Sequence, residues 1–331
     1  MTAGIPPLTR GIIAWSILLA VVAGGTVALL AIAIARTPVE HTASIVVVPH
    51  PDDEFQTWSL VEDTPDEYKI FVSLTRGDET GFCEPDIRET SLQADLGERA
   101  PDPDPPGRWT PECMEARQNS LLGYLTQMSE SDPTIPGDFG AMTEYTDLPA
   151  EGVEICHDDD GVRDCDASLR TARVWKDAAG RGAVVFFDLG DGDLTQDEAA
   201  WALQTLIANR DTWGLDPARV GAMIGAFANE GHSCYSYPHP DHVAVHQVLW
   251  NVDFGVGPQV GATCFLDPRQ RMSAFVSPES AAAAFALGPN GERLGAHGRN
   301  YGWLHDDAFP LAGIRQNDLF MSFQSFWVRF N

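Results

Sequence analysis

The chain has 331 residues, 44% of them hydrophobic and 21% charged, so its composition is that of a globular protein with room for a sizeable core. It carries 48 acidic residues against 21 lysines and arginines, which gives a net charge of −27 at pH 7. Such an acidic surface repels nucleic acid and anionic membranes, so we expect neither as a ligand.

Residues 11–35 form an uncharged apolar segment, and a helix needs about 20 apolar residues to cross a bilayer. A cleaved signal peptide has a shorter apolar region of about 7–15 residues, so residues 1–36 are interpreted as an uncleaved signal anchor. The sequence AIAIA offers small-residue cleavage sites, and a removed signal peptide stays open as the alternative. We therefore expect an extracytoplasmic protein, which contacts the membrane through this helix only or is secreted if the segment is cleaved.

Six cysteines follow the apolar segment, and none of them forms a C-x-x-C motif. An even number of dispersed cysteines behind an export segment predicts disulfides formed in an oxidising compartment. Cys156 and Cys165 are the first predicted pair because they close a short loop. Free buried thiols are the alternative.

A linker at 37–43 precedes a series of strand-like and helix-like patterns. Strands are predicted at 44–49, 68–75, 182–189, 219–228 and 261–266, and helices at 112–128, 195–209 and 241–251. Several of the strand-like runs are apolar throughout, as expected of strands that are buried on both faces. The alternation predicts a three-layer α/β domain with a Rossmann-like, mostly parallel sheet over residues 44–331.

Two stretches interrupt this pattern, and both are interpreted as surface insertions on the one domain. Residues 82–111 are too rich in proline for a helix or an inner strand, and residues 131–170 are rich in Asp, Gly and Pro. Beyond about residue 275 the pattern weakens. There SAAAAFAL is typical of a helix, and LFMSFQSFWVRF is typical of a strand.

The first predicted strand ends in His50, Pro51, Asp52, Asp53 and Glu54. Ligands of open α/β sheets bind at the carboxyl ends of the strands, so these side chains are expected to face a cleft. Asp52 and Asp53 are adjacent and cannot point the same way, so one can bind a metal while the other faces the attacking water. The nitrogen of His50 and the oxygen of Asp53 form a ligand mixture that suits zinc.

A second group of histidines lies in YPHPDHVAVH, residues 237–246. His239 and His242 stand three residues apart at the predicted start of a helix. One of them can supply the third protein ligand of a catalytic zinc while the other faces the substrate. The chain contains no H-E-x-x-H, no G-x-S-x-G and no Gly-Lys dipeptide, so no other catalytic motif competes with these two clusters.

The pairing of PHPDDE with HPDH resembles the PIG-L/LmbE-like zinc-dependent N-deacetylases. SLTRGDETG at 73–81 and DLGDGDL at 188–194 are similar to that family's loops after two further strands. The resemblance covers roughly residues 44–266 and implies an LmbE-like fold. It also implies hydrolysis of an N-acetyl group, with an N-acetylglucosamine-type sugar or glycoconjugate as the expected substrate.

Carried over by position, the resemblance implies that His50, Asp53 and His242 hold the zinc ion. Asp52 matches the general base that deprotonates the attacking water. Asp241 matches a residue that orients a neighbouring histidine. These residues do not distinguish zinc from another divalent metal.

The resemblance also implies the groups that meet the substrate. His239 matches the histidine that stabilises the oxyanion or protonates the leaving amine, and Tyr237 matches a tyrosine that polarises the carbonyl. Arg117, Arg76 and Asp191 are the expected substrate contacts. Arg117 departs from the family pattern because RQNS stands where R-x-x-E is usual.

The sequence is also compatible with two other functions. The chain can be an amidase that acts on a non-sugar acylated substrate, or a surface binding module that keeps the fold without catalysis. A binding module has no need of Asp52, so a complete set of base, ligands and second histidine favours an enzyme. The sequence does not indicate the oligomeric state.

Overall fold

The computed structural model describes residues 41–89, 100–159, 162–228, 239–263, 271–304, 320 and 322–330. The predicted anchor at 11–35 lies outside these residues, as do Tyr237, Cys234 and Cys264. Within the described ranges, no helix combines the length and the apolar character that a bilayer crossing requires. The chain from His41 onward forms one unit.

The strands of the described residues belong to one large sheet and one separate hairpin. The sheet strands are β1 (Thr42–Val48), β2 (Glu67–Thr75), β3 (Thr143–Tyr145), β6 (Ala172–Lys176), β7 (Gly182–Leu189), β8 (Val220–Gly225), β9 (Gln259–Thr263), β10 (Arg271–Phe275) and β11 (Phe323–Arg329). The hairpin strands are β4 (His157–Asp159) and β5 (Val162–Asp164).

The sheet order is β10-β11-β9-β8-β1-β2-β7-β6-β3. The five central strands, from β9 to β7, pair in parallel. The outer strands on both sides pair antiparallel. Because parallel strands point the same way, the carboxyl ends of β1, β2, β7 and β8 meet at one edge of the sheet.

Six α-helices flank the strands in the described part of the chain. They are α1 (Pro85–Arg88), α2 (Pro111–Ser131), α3 (Gln196–Asn209), α4 (Pro240–Asn251), α5 (Pro278–Phe285) and α6 (Ala296–Tyr301). Short 3-10 segments add Glu54–Leu60, Gly81–Cys83, Ala167–Leu169 and Gly302–Leu304.

Helices cover both faces of the sheet, which makes three layers. Successive strand side chains point to opposite faces, so Ile45 and Val47 pack in one core with α3 and α4. Val46 points the other way and packs with α2, α5 and α6. The predicted fold class, a three-layer α/β domain with a mostly parallel sheet, is therefore confirmed.

The predicted central elements match β1, β2, β7, β8, β9 and helices α2, α3 and α4 within a few residues. The strand and helix expected near the carboxyl end are β11 and α5. The described part of the proline-rich stretch contains a short helix, α1, where none was expected. The second insertion was predicted as a loop, yet it contributes β3 and the β4–β5 hairpin.

Two disulfides lie within the described residues, and each involves one of the two insertions. The predicted Cys156–Cys165 bond is confirmed, and it closes the β4–β5 hairpin. A second bond, Cys83–Cys113, ties the loop after β2 to the first turn of α2. Both disulfides agree with folding in an oxidising compartment.

Candidate metal centre

The end of β1 delivers the first two candidate ligands into a buried position. β1 is buried from Ala43 to Val48, and the chain turns into the 3-10 segment Glu54–Leu60 directly after it. His50 and Asp53 lie in this turn and are 7% and 4% exposed. Their Nδ1 and Oδ2 atoms are 3.3 Å apart.

The start of α4 delivers the third candidate ligand, His242. Pro240 occupies the first turn of α4, where a missing N–H costs nothing, and His239 is the N-cap residue. His242 is fully buried, and its Nε2 lies 3.2 Å from Asp53 Oδ2. His50, Asp53 and His242 thus place one ligand atom each within 4.8 Å of one another.

The partners of the far ring nitrogens fix where the protons are. His242 Nδ1 lies 2.6 Å from Phe227 O, so this nitrogen donates its proton to the carbonyl and Nε2 keeps its lone pair. His50 Nε2 lies between Asp241 Oδ2 at 2.9 Å and Asp191 Oδ1 at 3.0 Å, so it too holds a proton. Metal-binding histidines commonly donate their second N–H to a carbonyl or a carboxylate in this way.

These proton positions test whether a cation fits. His50 Nδ1, His242 Nε2 and Asp53 Oδ2 are all acceptors, and acceptors in contact repel unless a proton or a cation lies between them. Two imidazole nitrogens and one carboxylate oxygen are a usual ligand set for catalytic zinc. The donor chemistry of this cluster therefore fits a divalent metal ion, with His50, Asp53 and His242 as the residues that would hold it.

The electrostatics of the cluster follow from its burial and its acid content. Burial lowers the pKa of His50, but the nearby carboxylates of Asp191, Asp241 and Asp53 outweigh this and raise it well above its usual value. Burial raises the pKa of Asp53, but His242 and His50 hold it below its usual range. A proton is therefore held between His50 and Asp53 when no metal is bound, and a bound cation would take its place.

Two residues that sequence reasoning missed hold Asp53 and His242 in place. Gln56 Nε2 donates to Asp53 Oδ1 at 2.6 Å, which leaves only Oδ2 directed at the histidines. Gln56 Oε1 accepts the backbone N–H of Phe227 at 2.6 Å, and Phe227 O is the acceptor for His242. Gln56 lies three residues after Asp53, one turn of the 3-10 segment, which is the only sequence signal for it.

Asp241 contacts His50, so it sits where a residue that orients a histidine is expected. Its carboxylate is fully buried and accepts the N–H groups of Gly192 at 2.8 Å and Leu194 at 3.0 Å. Asp191 lies on the same loop and accepts the N–H of Glu79 at 2.7 Å while it contacts His50. Asp191 was predicted as a substrate contact, and the structure places its carboxylate against protein groups.

Two glycines allow these loops to come close. Gly192 has φ +92°, and a Cβ there would collide with the carboxylate of Glu79. Gly77, in the loop after β2, has φ +68°, and a Cβ there would lie 2.7 Å from Arg117 Nε. Positive φ and close approach both favour glycine, so each position is restricted for two reasons.

Asp52, the predicted general base, lies beside the cluster in a strained backbone conformation. Its φ is +115°, which a residue with a Cβ rarely adopts. Arg117 Nη1 and Nη2 lie 3.5 and 3.4 Å from its two carboxylate oxygens. Burial lowers the pKa of Arg117, but Asp52 and Asp191 outweigh this and raise it. Arg117 is thus brought into the site, where it meets Asp52.

His239, the N-cap residue of α4, also lies beside the candidate ligands. Its ring centroid is 4.7 Å from that of His50 and 5.7 Å from that of His242. Its Nδ1 accepts the backbone N–H of Asp241 at 3.4 Å, so Nε2 is the nitrogen that carries the proton. Burial and the charge of His50 lower the pKa of His239.

Arg76 follows β2 and belongs to a neighbouring group of charges. Burial and Asp191 raise the pKa of Asp78 to about 7, and Arg76 partly opposes this rise. Arg76 also influences the pKa of His157, on the β4–β5 hairpin. The structure gives Arg76 no contact with the three candidate ligands among the described residues.

Comparison with known proteins adds little beyond this geometry. No family model matches the sequence, and no curated protein matches it. A solved structure that resembles the chain is the crystal structure of a deacetylase triple mutant (Orf2*T) involved in the teicoplanin biosynthetic pathway. The identity is 12%, the match covers 88% of this chain and 99% of that chain, and the TM-score is 0.44. A likeness this distant establishes neither a family nor an activity.

Proposed function

We propose that the protein is a zinc-dependent N-deacetylase, a hydrolase that acts on a linear amide. The observation that carries this is the group of three buried atoms on His50, Asp53 and His242, together with the carboxylate of Asp52, which adjoins Asp53 in the chain and contacts Arg117. Another divalent metal in place of zinc would leave the argument unchanged. The same donor set without Asp52 would support binding alone.

A metal ion held there would lower the pKa of a water molecule toward about 7 and polarise the amide carbonyl. Asp52 would serve as the general base that takes the proton of the attacking water. Arg117 contacts both carboxylate oxygens of Asp52 and restrains their direction. His239 carries its proton on Nε2, so it can donate to the developing oxyanion or to the leaving amine. Tyr237 is proposed to assist at the carbonyl.

The proposed substrate is an N-acetylglucosamine-type sugar or a glycoconjugate that carries one, and this class follows from the family resemblance. Arg76, Arg117 and Asp191 are its proposed contacts. The proposed location is extracytoplasmic, supported by the two disulfides, with residues 11–35 as the anchor unless they are cleaved. An amide of a non-sugar substrate is the alternative reaction.

The test follows amine release from a panel of N-acetylated sugars and acylated peptides, with the full chain loaded with zinc. We expect metal-dependent release from at least one N-acetyl sugar. Asp52→Asn should lower kcat by about 100- to 10,000-fold, the usual contribution of a general base, while zinc content stays unchanged. Release from acylated peptides alone would select the alternative reaction. No release from any amide, with zinc bound, would favour a binding module.

A further inference from the structure

Tyr301, near the carboxyl end of the chain, reaches the turn that carries the proposed base. It is the last residue of α6, in the region that the family resemblance does not cover. Its hydroxyl donates to Glu54 Oε2 at 3.2 Å. Tyr301 is 0% exposed and Glu54 is 1% exposed, so water does not compete for this hydrogen bond.

Glu54 passes the contact on to Asp52. Its other oxygen, Oε1, accepts the backbone N–H of Asp52 at 3.2 Å. Asp52 has φ +115°, a conformation that costs free energy and persists only where its surroundings hold it. Glu54 thus bonds the peptide group of this strained residue. The direction of the Asp52 carboxylate depends on that peptide group.

We propose that Glu54 and Tyr301 are positioning residues for Asp52. Tyr301 fixes one oxygen of Glu54, and the other oxygen fixes the backbone of Asp52. Arg117 restrains the same residue from its carboxylate end. Arg117 thus restrains the carboxylate of Asp52 and Glu54 restrains its peptide group. Tyr301 of α6 in turn holds Glu54. This inference rests on the proposed function, in which Asp52 takes the proton.

The chain offers a matched control in Tyr124. This tyrosine lies in the same aromatic cluster, with its ring centroid 5.4 Å from that of Tyr301, and it is also 0% exposed. Its hydroxyl has no hydrogen-bond partner among the described residues. Tyr124→Phe and Tyr301→Phe therefore remove the same atom from the same core, but only the second removes a bond to Glu54.

The experiment measures two independent quantities on the full-length wild type and both variants. The first is steady-state kinetics of amine release, with zinc content and melting temperature recorded. The second is hydrogen exchange of the Asp52 amide, which needs no activity. For Tyr301→Phe we expect kcat to fall about tenfold, the usual effect of one lost hydrogen bond, with KM and zinc content unchanged. The Asp52 amide should exchange faster.

Tyr124→Phe should leave both quantities at the wild-type values. Glu54→Gln, which keeps an acceptor for the Asp52 N–H, should retain more activity than Glu54→Leu. If Tyr301→Phe behaves like Tyr124→Phe in exchange, the proposal is overturned, whatever happens to kcat. If exchange at Asp52 accelerates but the wild type hydrolyses no amide, the positioning contact stands and the proposed function fails.

Discussion

At the amino ends of the central strands, buried charges meet groups of opposite polarity. Lys69 is fully buried, and its Nζ donates to the carbonyls of Thr64 and Thr134, both at 2.9 Å. Asp177 accepts three backbone N–H groups and the guanidinium of Arg181. At the carboxyl ends, by contrast, acceptor atoms of His50, His242 and Asp53 face each other.

The difference separates a structural charge from a functional one. Buried charges cost free energy unless hydrogen bonds or opposite charges compensate them. Lys69 and Asp177 are compensated within the protein, so they need nothing further. The cluster at the carboxyl ends is compensated only when a proton or a cation lies between its acceptors. Burial of a charged group alone therefore does not identify a metal site. Lone pairs of several acceptor atoms that point at one another do.

The largest expected effect compares one carboxylate from each end. Asp177→Ala should lower the free energy of unfolding by about 3 kcal/mol, because it leaves the Arg181 guanidinium and three backbone N–H groups without their acceptor. Asp53→Ala should destabilise the metal-free protein less, because Asp191 and Asp241 still compensate His50 after the loss of Asp53. Urea unfolding of both variants in a chelator measures this. Equal losses would mean that the two ends do not differ.

Asp241→Asn should weaken metal binding by about 10- to 100-fold, the usual effect of changing a group that orients a metal ligand. The new amide nitrogen would meet the N–H of Gly192 or of His50, which now donate to a carboxylate. Competition with a zinc chelator measures the affinity. Asp193→Asn is the control on the same loop, since Asp193 accepts from the N–H of Asp158 instead. Similar losses in both variants would count against the proposed role of Asp241.

The smallest effect concerns Lys69 and pH. Burial lowers the pKa of Lys69 to about 8, below its value in the unfolded chain. Between pH 8 and about 10 the unfolded chain binds a proton that the folded protein lacks, so stability should rise with pH in this window. Lys69→Met should lose that rise while its zinc content stays at the wild-type level. A variant with the same pH slope as the wild type would show that Lys69 is not the group responsible.

The central strands and helices were predictable because burial on both faces leaves a continuous apolar run, as in β1 and β7. The outer strand β6 was not, since its burial alternates and it follows a loop-like insertion. The β4–β5 hairpin was not predictable either, because it is held by a disulfide and by the bond of His157 to Asp193. Neither contact follows from local sequence propensity.

The candidate ligands were predictable because His50, Asp53 and His242 lie in short motifs at strand and helix ends. Their supporting contacts were not, because they join residues distant in sequence. Gln56 bonds the N–H of Phe227, 171 positions away, and Tyr301 reaches Glu54 across 247 positions. Tyr301 and Trp303 are both buried in the core.

The most direct test of the central claim is the zinc content of the full-length protein, measured by elemental analysis after exposure to zinc and removal of the excess. Wild type should retain about one zinc ion per chain, the number that one three-ligand site holds. His242→Ala should retain none. His246→Ala, one turn further along α4, should retain it, because His246 accepts a hydrogen bond from Trp327 instead. A wild type without zinc, or a His242→Ala variant with as much zinc as the wild type, would contradict the account.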